Sequence, residues 1–178
     1  QIQGRASLGG NLCNGSPAGD SVPALIAAGC KAVIAGPKGK KNVPIENFHL
    51  GPGKTVLENG EMLVSLKFPK RVSNSADAYL RMTPRTEMDI AVVGCGVNIS
   101  LDNDTCTHAR VSLGAVAPTP LLIEEASEIM VGSKLDDDVL NKVSKICMDA
   151  CNPINDKRGT IDYRTKVAGV LFKRATKL

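Results

Sequence analysis

The alternation of apolar and polar positions changes character along the chain. Asp20 to Ala28 predicts a short helix: Ser21 can cap it, Pro23 falls in its first turn, and Ala24-Leu25-Ile26-Ala27-Ala28 favours helix. Cys30 to Ala35 alternates weakly, as a strand does, and Gly36-Pro37 closes it. A loop-rich stretch follows, marked by Pro44, Gly51-Pro52-Gly53 and Asn59-Gly60. Glu61 to Phe68 reads as a strand that begins at the Asn-Gly turn and stops at Pro69. The polar segment Lys70 to Ala76 links this half to the next.

Three strands are expected beyond the link: Ala78 to Thr83, Ile90 to Leu101 and Thr105 to Ala117, the last two joined by a hairpin turn at Asp102-Asn103-Asp104. The run Ile90 to Ile99 is apolar and rich in small residues, which suits a strand closely covered by helices. The remainder is helical in pattern. Pro120 to Val131 is stopped by Gly132. Ser133 to Asp136 resembles a capping box for a helix reaching Cys151, with Val139, Leu140, Val143, Ile146 and Ala150 on one face. Asp162 can cap a final helix with a stripe of Tyr163, Val167, Val170 and Leu171. Lys173, Arg174 and Lys177 crowd its C-terminal end, where the helix dipole favours cations. Strands followed by helices indicate an α+β fold.

Composition narrows the picture. The 178 residues suit one or two domains, and 43% hydrophobic with 22% charged residues is ordinary globular usage. Aromatics are 3% and Trp is absent, so the core is built from Val, Ile, Leu, Ala and Met. So few rings weigh against nucleic-acid binding by base stacking. The net charge of +4 comes from interspersed residues of both signs, and the basic run Lys38-Gly39-Lys40-Lys41 reads as a solvated turn. Six cysteines form no C-x-x-C. With His49 and His108 as the two histidines, neither a zinc pattern nor a [2Fe–2S] spacing is present. The cysteines read as reduced thiols of a cytoplasmic protein. No apolar run approaches the roughly 20 residues of a membrane span, and no signal segment opens the chain. Gln1 is not an initiator Met, so the chain reads as a piece of a longer polypeptide. It shows no Ser-His-Asp set, paired-carboxylate site or P-loop. No residue is therefore singled out as catalytic or metal-binding.

The sharpest local feature is Ala6-Ser7-Leu8-Gly9-Gly10-Asn11, followed by Ser16-Pro17-Ala18-Gly19-Asp20-Ser21-Val22-Pro23-Ala24-Leu25. Adjacent glycines remove both Cβ atoms and permit positive φ, so the backbone of a Gly-Gly turn can approach a flat ring or a phosphate. The bland reading is a tight turn. Asn11 adds an amide donor and acceptor. Asp20 either caps the helix after it or accepts from the hydroxyls of a ribose.

The run from Ala6 to Leu25 resembles the second glycine motif of the FAD-binding (medium) subunit in the xanthine dehydrogenase and carbon monoxide dehydrogenase family of molybdenum hydroxylases. That motif takes the form T-[IV]-G-G-N, then P-x-x-D-x-x-P-A/V. The resemblance continues through Glu61 to Pro69, through Arg81 and Arg85-Thr86-Glu87-Met88-Asp89-Ile90-Ala91-Val92-Val93, and through Asp162-Tyr163-Arg164 to Ala175. It covers essentially the whole chain. It implies the second lobe of a two-lobed FAD-binding domain over residues 1–70. A C-terminal α+β domain over 76–178 would then pack a three-stranded antiparallel sheet with three helices. By the same resemblance Gly9, Gly10 and Asn11 lie against the flavin and its phosphates, Asp20 binds FAD, and Leu63 touches the cofactor. Arg81 stands where Lys is common, and a cation there can stabilise charge on the reduced ring. Ser7 and Ser16 can add hydroxyl hydrogen bonds. The family's first lobe, with its own glycine motif, has no counterpart in the sequence, so half of the cofactor cleft is expected to be missing.

The resemblance implies a role in electron transfer. Substrate is oxidised at a molybdopterin centre in a large subunit, electrons pass through [2Fe–2S] clusters of a small subunit to FAD, and the flavin reduces an acceptor. Two rivals remain at this level. One is a flavoprotein of the UDP-sugar reductase or oxidase type. The other is a cofactor-free structural or assembly fragment.

Overall fold

The computed structural model describes residues 4–86 and 88–178; Gln1, Ile2, Gln3 and Glu87 lie outside the described residues. The first half comprises α1 (Leu8–Cys13), α2 (Ser21–Ala27), β1 (Lys31–Gly36), β2 (Gly39–Pro44), a 3₁₀ turn (Ile45–Asn47), β3 (His49–Gly51), β4 (Lys54–Thr55) and β5 (Met62–Lys67). Strands β2, β1 and β5 form an antiparallel sheet in that order, and β3 pairs with β4. The helices and this sheet close over a core of Leu12, Val22, Leu25, Ile26, Ile34 and Phe48 among others.

Two expectations change here. The Gly9-Gly10-Asn11 segment is not a tight turn with positive φ; it is the body of α1. Two glycines disfavour helix by about 1 kcal/mol each. Ser7, extended at φ −138 and ψ 153, caps α1 by accepting from the Gly10 N–H, and Leu12 is fully buried, which together offset that cost. The basic run after Gly36 is not a simple loop: Gly39 to Pro44 turns back on β1 as a strand. Its exposed lysines alternate with nothing apolar, so no period marks it in the sequence.

The second half comprises β6 (Ser75–Met82), β7 (Val93–Asp102), β8 (Thr105–Gly114), β9 (Leu121–Leu122), α3 (Glu124–Met130), α4 (Asp137–Asp149) and α5 (Ile161–Thr176). The α+β class holds. The sheet is antiparallel in the order β6-β7-β8-β9, so it carries a short fourth strand beyond the three expected. Leu121 and Leu122, expected inside a helix, form that strand, and α3 starts only at Glu124. The β7–β8 hairpin turns at Asn103 and Asp104, both with positive φ (44 and 67), the two-residue turn that suits Asn and Asp. The caps shift by a few residues. Asp136, not Ser133, accepts from the Val139 N–H to start α4. Thr160, not Asp162, accepts from the Tyr163 N–H to start α5. In both cases the capping oxygen sits where the backbone is still extended, and Asp162 already lies in the first helical turn.

Side chains alternate across β7 and β8. Cys95, Val97, Val111 and Leu113 face the helices, where Met130, Leu140, Val143, Leu171 and Phe172 complete the larger core. The opposite face carries Gly96 and Gly114, and helix α2 of the first half rests on it. A Cβ on Gly96 would stand 2.6 Å from the Pro23 carbonyl oxygen, and one on Gly114 2.6 Å from Pro23 Cγ. The small residues of this strand thus serve two layers, one on each side. Arg110 fastens the contact: its Nε donates to the Ile26 carbonyl (3.1 Å) and a terminal nitrogen donates to Glu46 (3.0 Å). No helix among the described residues is long and apolar enough to cross a membrane.

Candidate functional site

The six residues singled out by the motif lie along one connected path at the N-terminal ends of α1 and α2. Gly9 faces Leu63 of β5: a Cβ built on it would meet Leu63 Cδ2 at 3.4 Å. Gly10 is exposed; its N–H donates to the Ser7 hydroxyl at 3.0 Å, and a Cβ there would press on the same oxygen at 3.0 Å. One turn on, the Asn11 side-chain oxygen accepts from both the Ser21 N–H (3.0 Å) and the Ser21 hydroxyl (2.6 Å). Asn11 thereby supplies from another helix the acceptor that the start of α2 needs.

Asp20 precedes Ser21 and makes no cap. Its φ of −58 and ψ of −37 are already helical, not the extended backbone from which a side chain caps the first turn. One oxygen pairs with the Arg81 guanidinium across the junction, and the other is buried with no hydrogen-bond partner. Arg81 reaches Asp20 because it lies on the α2 side of β6, in register with Gly94. Tyr79 shares that face. A Cβ on Gly94 would lie 2.9 Å from the Tyr79 hydroxyl, so glycine makes room for the ring. Burial, reinforced by the nearby Asp20 charge and opposed by Arg81, pushes the Tyr79 phenol up, and it remains protonated.

The path therefore runs from Leu63 to Gly9 and Gly10, through Asn11 and Ser21, to Asp20 and Arg81. Ser7 and Ser16 spend their hydroxyls locally, Ser7 as the α1 cap and Ser16 on the Ala18 N–H at 3.2 Å. Ser21 on this path and Tyr79 beside it escape a reading of the sequence. Ser21 looks like an ordinary cap there, and Tyr79 acquires its position only through strand register.

Chemically the arrangement offers bare backbone at the start of a short helix, a half-exposed carboxylate paired with a cation, and an amide. These groups bind and orient; none is a nucleophile poised by a base. All six cysteines are free. Burial pushes the Cys147 thiol up to about 12 and, against Arg110, the Cys30 thiol up to about 11, so both stay protonated. Among the described residues no group of three or more His, Cys, Asp or Glu is placed to hold a metal ion. Buried His49 has a structural role, since its Nε2 lies 2.7 Å from the Leu12 carbonyl and ties β3 to the end of α1.

Comparison with known proteins bears on the whole chain. Residues 1–71 match the FAD binding domain in molybdopterin dehydrogenase, and residues 78–177 match the CO dehydrogenase flavoprotein C-terminal domain. The chain is 32% identical over 98% of its length to the putative xanthine dehydrogenase FAD-binding subunit of Escherichia coli, covering 60% of that protein. It is 32% identical over 98% of its length to the carbon monoxide dehydrogenase medium chain of Hydrogenophaga pseudoflava, covering 61% of it. It superimposes on a chain of the reconstituted CO dehydrogenase from Oligotropha carboxidovorans with a TM-score of 0.95 at 32% identity, over 99% of its own length and 62% of the other. For quinoline 2-oxidoreductase from Pseudomonas putida the TM-score is 0.86 at 25% identity, over 98% of this chain and 60% of the other. The chain thus spans about 60% of the length of the curated relatives it matches. From the glycine-bearing helix to the closing helix α5, it belongs to the family of FAD-binding subunits of the xanthine and carbon monoxide dehydrogenases.

Proposed function

We propose that the chain forms part of the FAD site of a molybdenum hydroxylase and serves as its electron-transfer flavoprotein segment. The observation that carries this reading is the connected path Leu63–Gly9–Gly10–Asn11–Ser21–Asp20–Arg81, which joins residues up to 72 positions apart along one edge. FAD fits this edge. Its phosphates suit the exposed start of α1, where the Leu8 and Gly9 N–H groups precede the first intrahelical bond. A ribose hydroxyl suits the exposed part of the Asp20 carboxylate, beside Arg81. FAD supplies the electron chemistry when bound, and the protein supplies orientation and electrostatics. Asn11 holds the two helix starts in register. Arg81 holds the Asp20 carboxylate in place through their ion pair. Gly9 and Leu63 offer a smooth wall.

In this reading residues 1–70 are the second lobe of the FAD-binding domain and 76–178 a C-terminal domain. The partners are a molybdopterin-binding large subunit, a [2Fe–2S] small subunit and the first FAD lobe, assembled in the cytoplasm. The test is flavin titration of the chain, alone and together with the segment corresponding to the rest of its relatives' length. Near-stoichiometric FAD is expected only in the combination, and Asp20→Asn should weaken it about tenfold or more, as loss of a charged hydrogen-bond acceptor does. Undiminished flavin affinity in Asp20→Asn would remove Asp20 from the site. No flavin uptake by the combination would overturn the reading.

A further inference from the structure

At the end of α2 opposite Asp20, Ala28 and Gly29 form the floor of a cleft of about 890 Å³. One wall is the connecting segment from Phe68 to Ser73. The other is the α2-side face of the second sheet, at Asp77, Asn98 and Arg110, with Thr107 and His108 beside it. Asp77 lies four positions from Arg81 on β6, ~13 Å along an extended strand. The cleft is thus separate from the flavin edge, and neither Asp20 nor Arg81 lines it.

The lining has an excess of positive charge. Lys70 and Arg71 are exposed, and among the described residues neither pairs with a carboxylate. Arg71 spends one N–H on the Ser75 carbonyl at 2.8 Å and keeps its remaining donors. His108 is exposed on the facing wall. The lining carboxylate, Asp77, already accepts from the Asn98 amide at 2.6 Å, and Arg110 is already neutralised by Glu46. Phe68 and Val72, 52% and 60% exposed, put an aromatic ring and an aliphatic side chain on the wall that carries the two free cations. Ser100, also in the lining and only 5% exposed, has a hydroxyl without a hydrogen-bond partner.

We propose that this cleft binds a small phosphate ester with a flat apolar body. Its volume is that of a small-molecule site. Cationic and imidazole donors approach from two walls. A tetrahedral phosphate takes charge-assisted bonds from several directions at once, where a planar carboxylate would satisfy one wall. The flat body would lie along Phe68 and Val72. A bound ester would bridge the connecting segment to the sheet, on the side of the junction away from the flavin edge. The geometry of the junction carries this site independently of the flavin reading.

The probe is phenyl phosphate, titrated into the full 178-residue chain, with inorganic phosphate, phenol and benzoate in parallel. Calorimetry should give saturable binding with a Kd of about 1 mM or tighter, at least about tenfold tighter than for any of the three controls. Amide NMR shifts should centre on Gly29, Arg71 and His108. The double variant K70A/R71A should weaken binding by about tenfold or more. Its melting should change little, because both side chains are exposed and the single bond lost, Arg71 to the Ser75 carbonyl, is exposed as well. Phe68→Ala should weaken phenyl phosphate and leave inorganic phosphate unaffected. Absence of saturation, equal affinity in K70A/R71A, or shifts centred on Ser21 and Arg81 would each overturn the proposal.

Discussion

The two faces of the second sheet are built on opposite principles. Toward α3, α4 and α5 the strands present Cys95, Val97, Val111 and Leu113 to a deep apolar layer that includes fully buried Phe172 and Met130. Toward α2 they present glycines, Tyr79, Arg81, Ser112 and Arg110, and the contact is so close that Pro23 backbone touches the strand. The first face gives stability through area. The second gives position: it sets where Asp20 meets Arg81 and where Arg110 meets Ile26, with little apolar surface to spare. Ser112, fully buried there with a partnerless hydroxyl, shows that this face tolerates polar cost for closeness.

Substitutions on each side sharpen the contrast. Phe172→Ala should be the most damaging, destabilising by about 3–5 kcal/mol in chemical denaturation through a cavity in the deep layer, while the Asp20–Arg81 geometry survives in the folded fraction. Gly96→Ala should cost about 3 kcal/mol by overpacking, the upper part of the usual range, because the new methyl meets backbone rather than a flexible side chain. Unlike Phe172→Ala, it should shift amide resonances of α2 and of Arg81. A Gly96→Ala protein with wild-type shifts at α2 would show that the face is slack, and the contrast would fail.

Asp156→Asn comes next, on the apolar side. Arg164, 3% exposed, donates to the Val92 carbonyl (2.7 Å), the Ala115 carbonyl (3.2 Å) and the Asp156 carboxylate (2.7 Å), locking α5 to the strand ends. Losing the charged acceptor should cost about 2 kcal/mol at neutral pH. Burial pushes the Asp156 carboxyl up, but hydrogen bonds from Arg164 and from the Arg158 and Gly159 N–H groups, with the Arg164 charge, prevail and hold it low. A depressed pKa in the folded state contributes stability above the unfolded carboxylate value and loses it as pH falls through the folded one. The gap between wild type and Asp156→Asn should therefore close in acid; a gap constant with pH would refute the linkage. The smallest effect belongs to Ser21→Ala, about 1 kcal/mol in stability. It should still weaken flavin binding, because Asn11 loses the hydroxyl that holds it, whereas an α2 cap alone would leave binding unmoved.

Much of this arrangement is legible in the chain. The strands Glu61–Phe68, Ile90–Leu101 and Thr105–Ala117 and the last two helices are marked by period and by turn residues, and the structure holds each within a few positions. Local signals run out where distant partners decide. Two glycines argue against helix, and only the Ser7 cap and the burial of Leu12 make α1. Leu121-Leu122 is too short to show a period, and its strand exists because β8 offers an edge. The motif points to Asp20 and Arg81 separately, but their pairing across 61 positions depends on the register of β6 with β7. Ser21 is hidden for the same reason, since its partner sits ten residues back on another helix.

The seating of α2 on the second sheet makes the covalent chain between the halves almost incidental. Protease nicking at the exposed Lys70 or Arg71 would sever one backbone and leave the Pro23 contacts, the Arg110 bonds and the Ala115 N–H to Pro17 bond (2.8 Å) in place. The two pieces would travel together through a sizing column and part only in denaturant. Expressed separately, the second piece would expose a glycine-lined face with no helix to cover it. Its solubility would then depend on the other piece as on a chaperone.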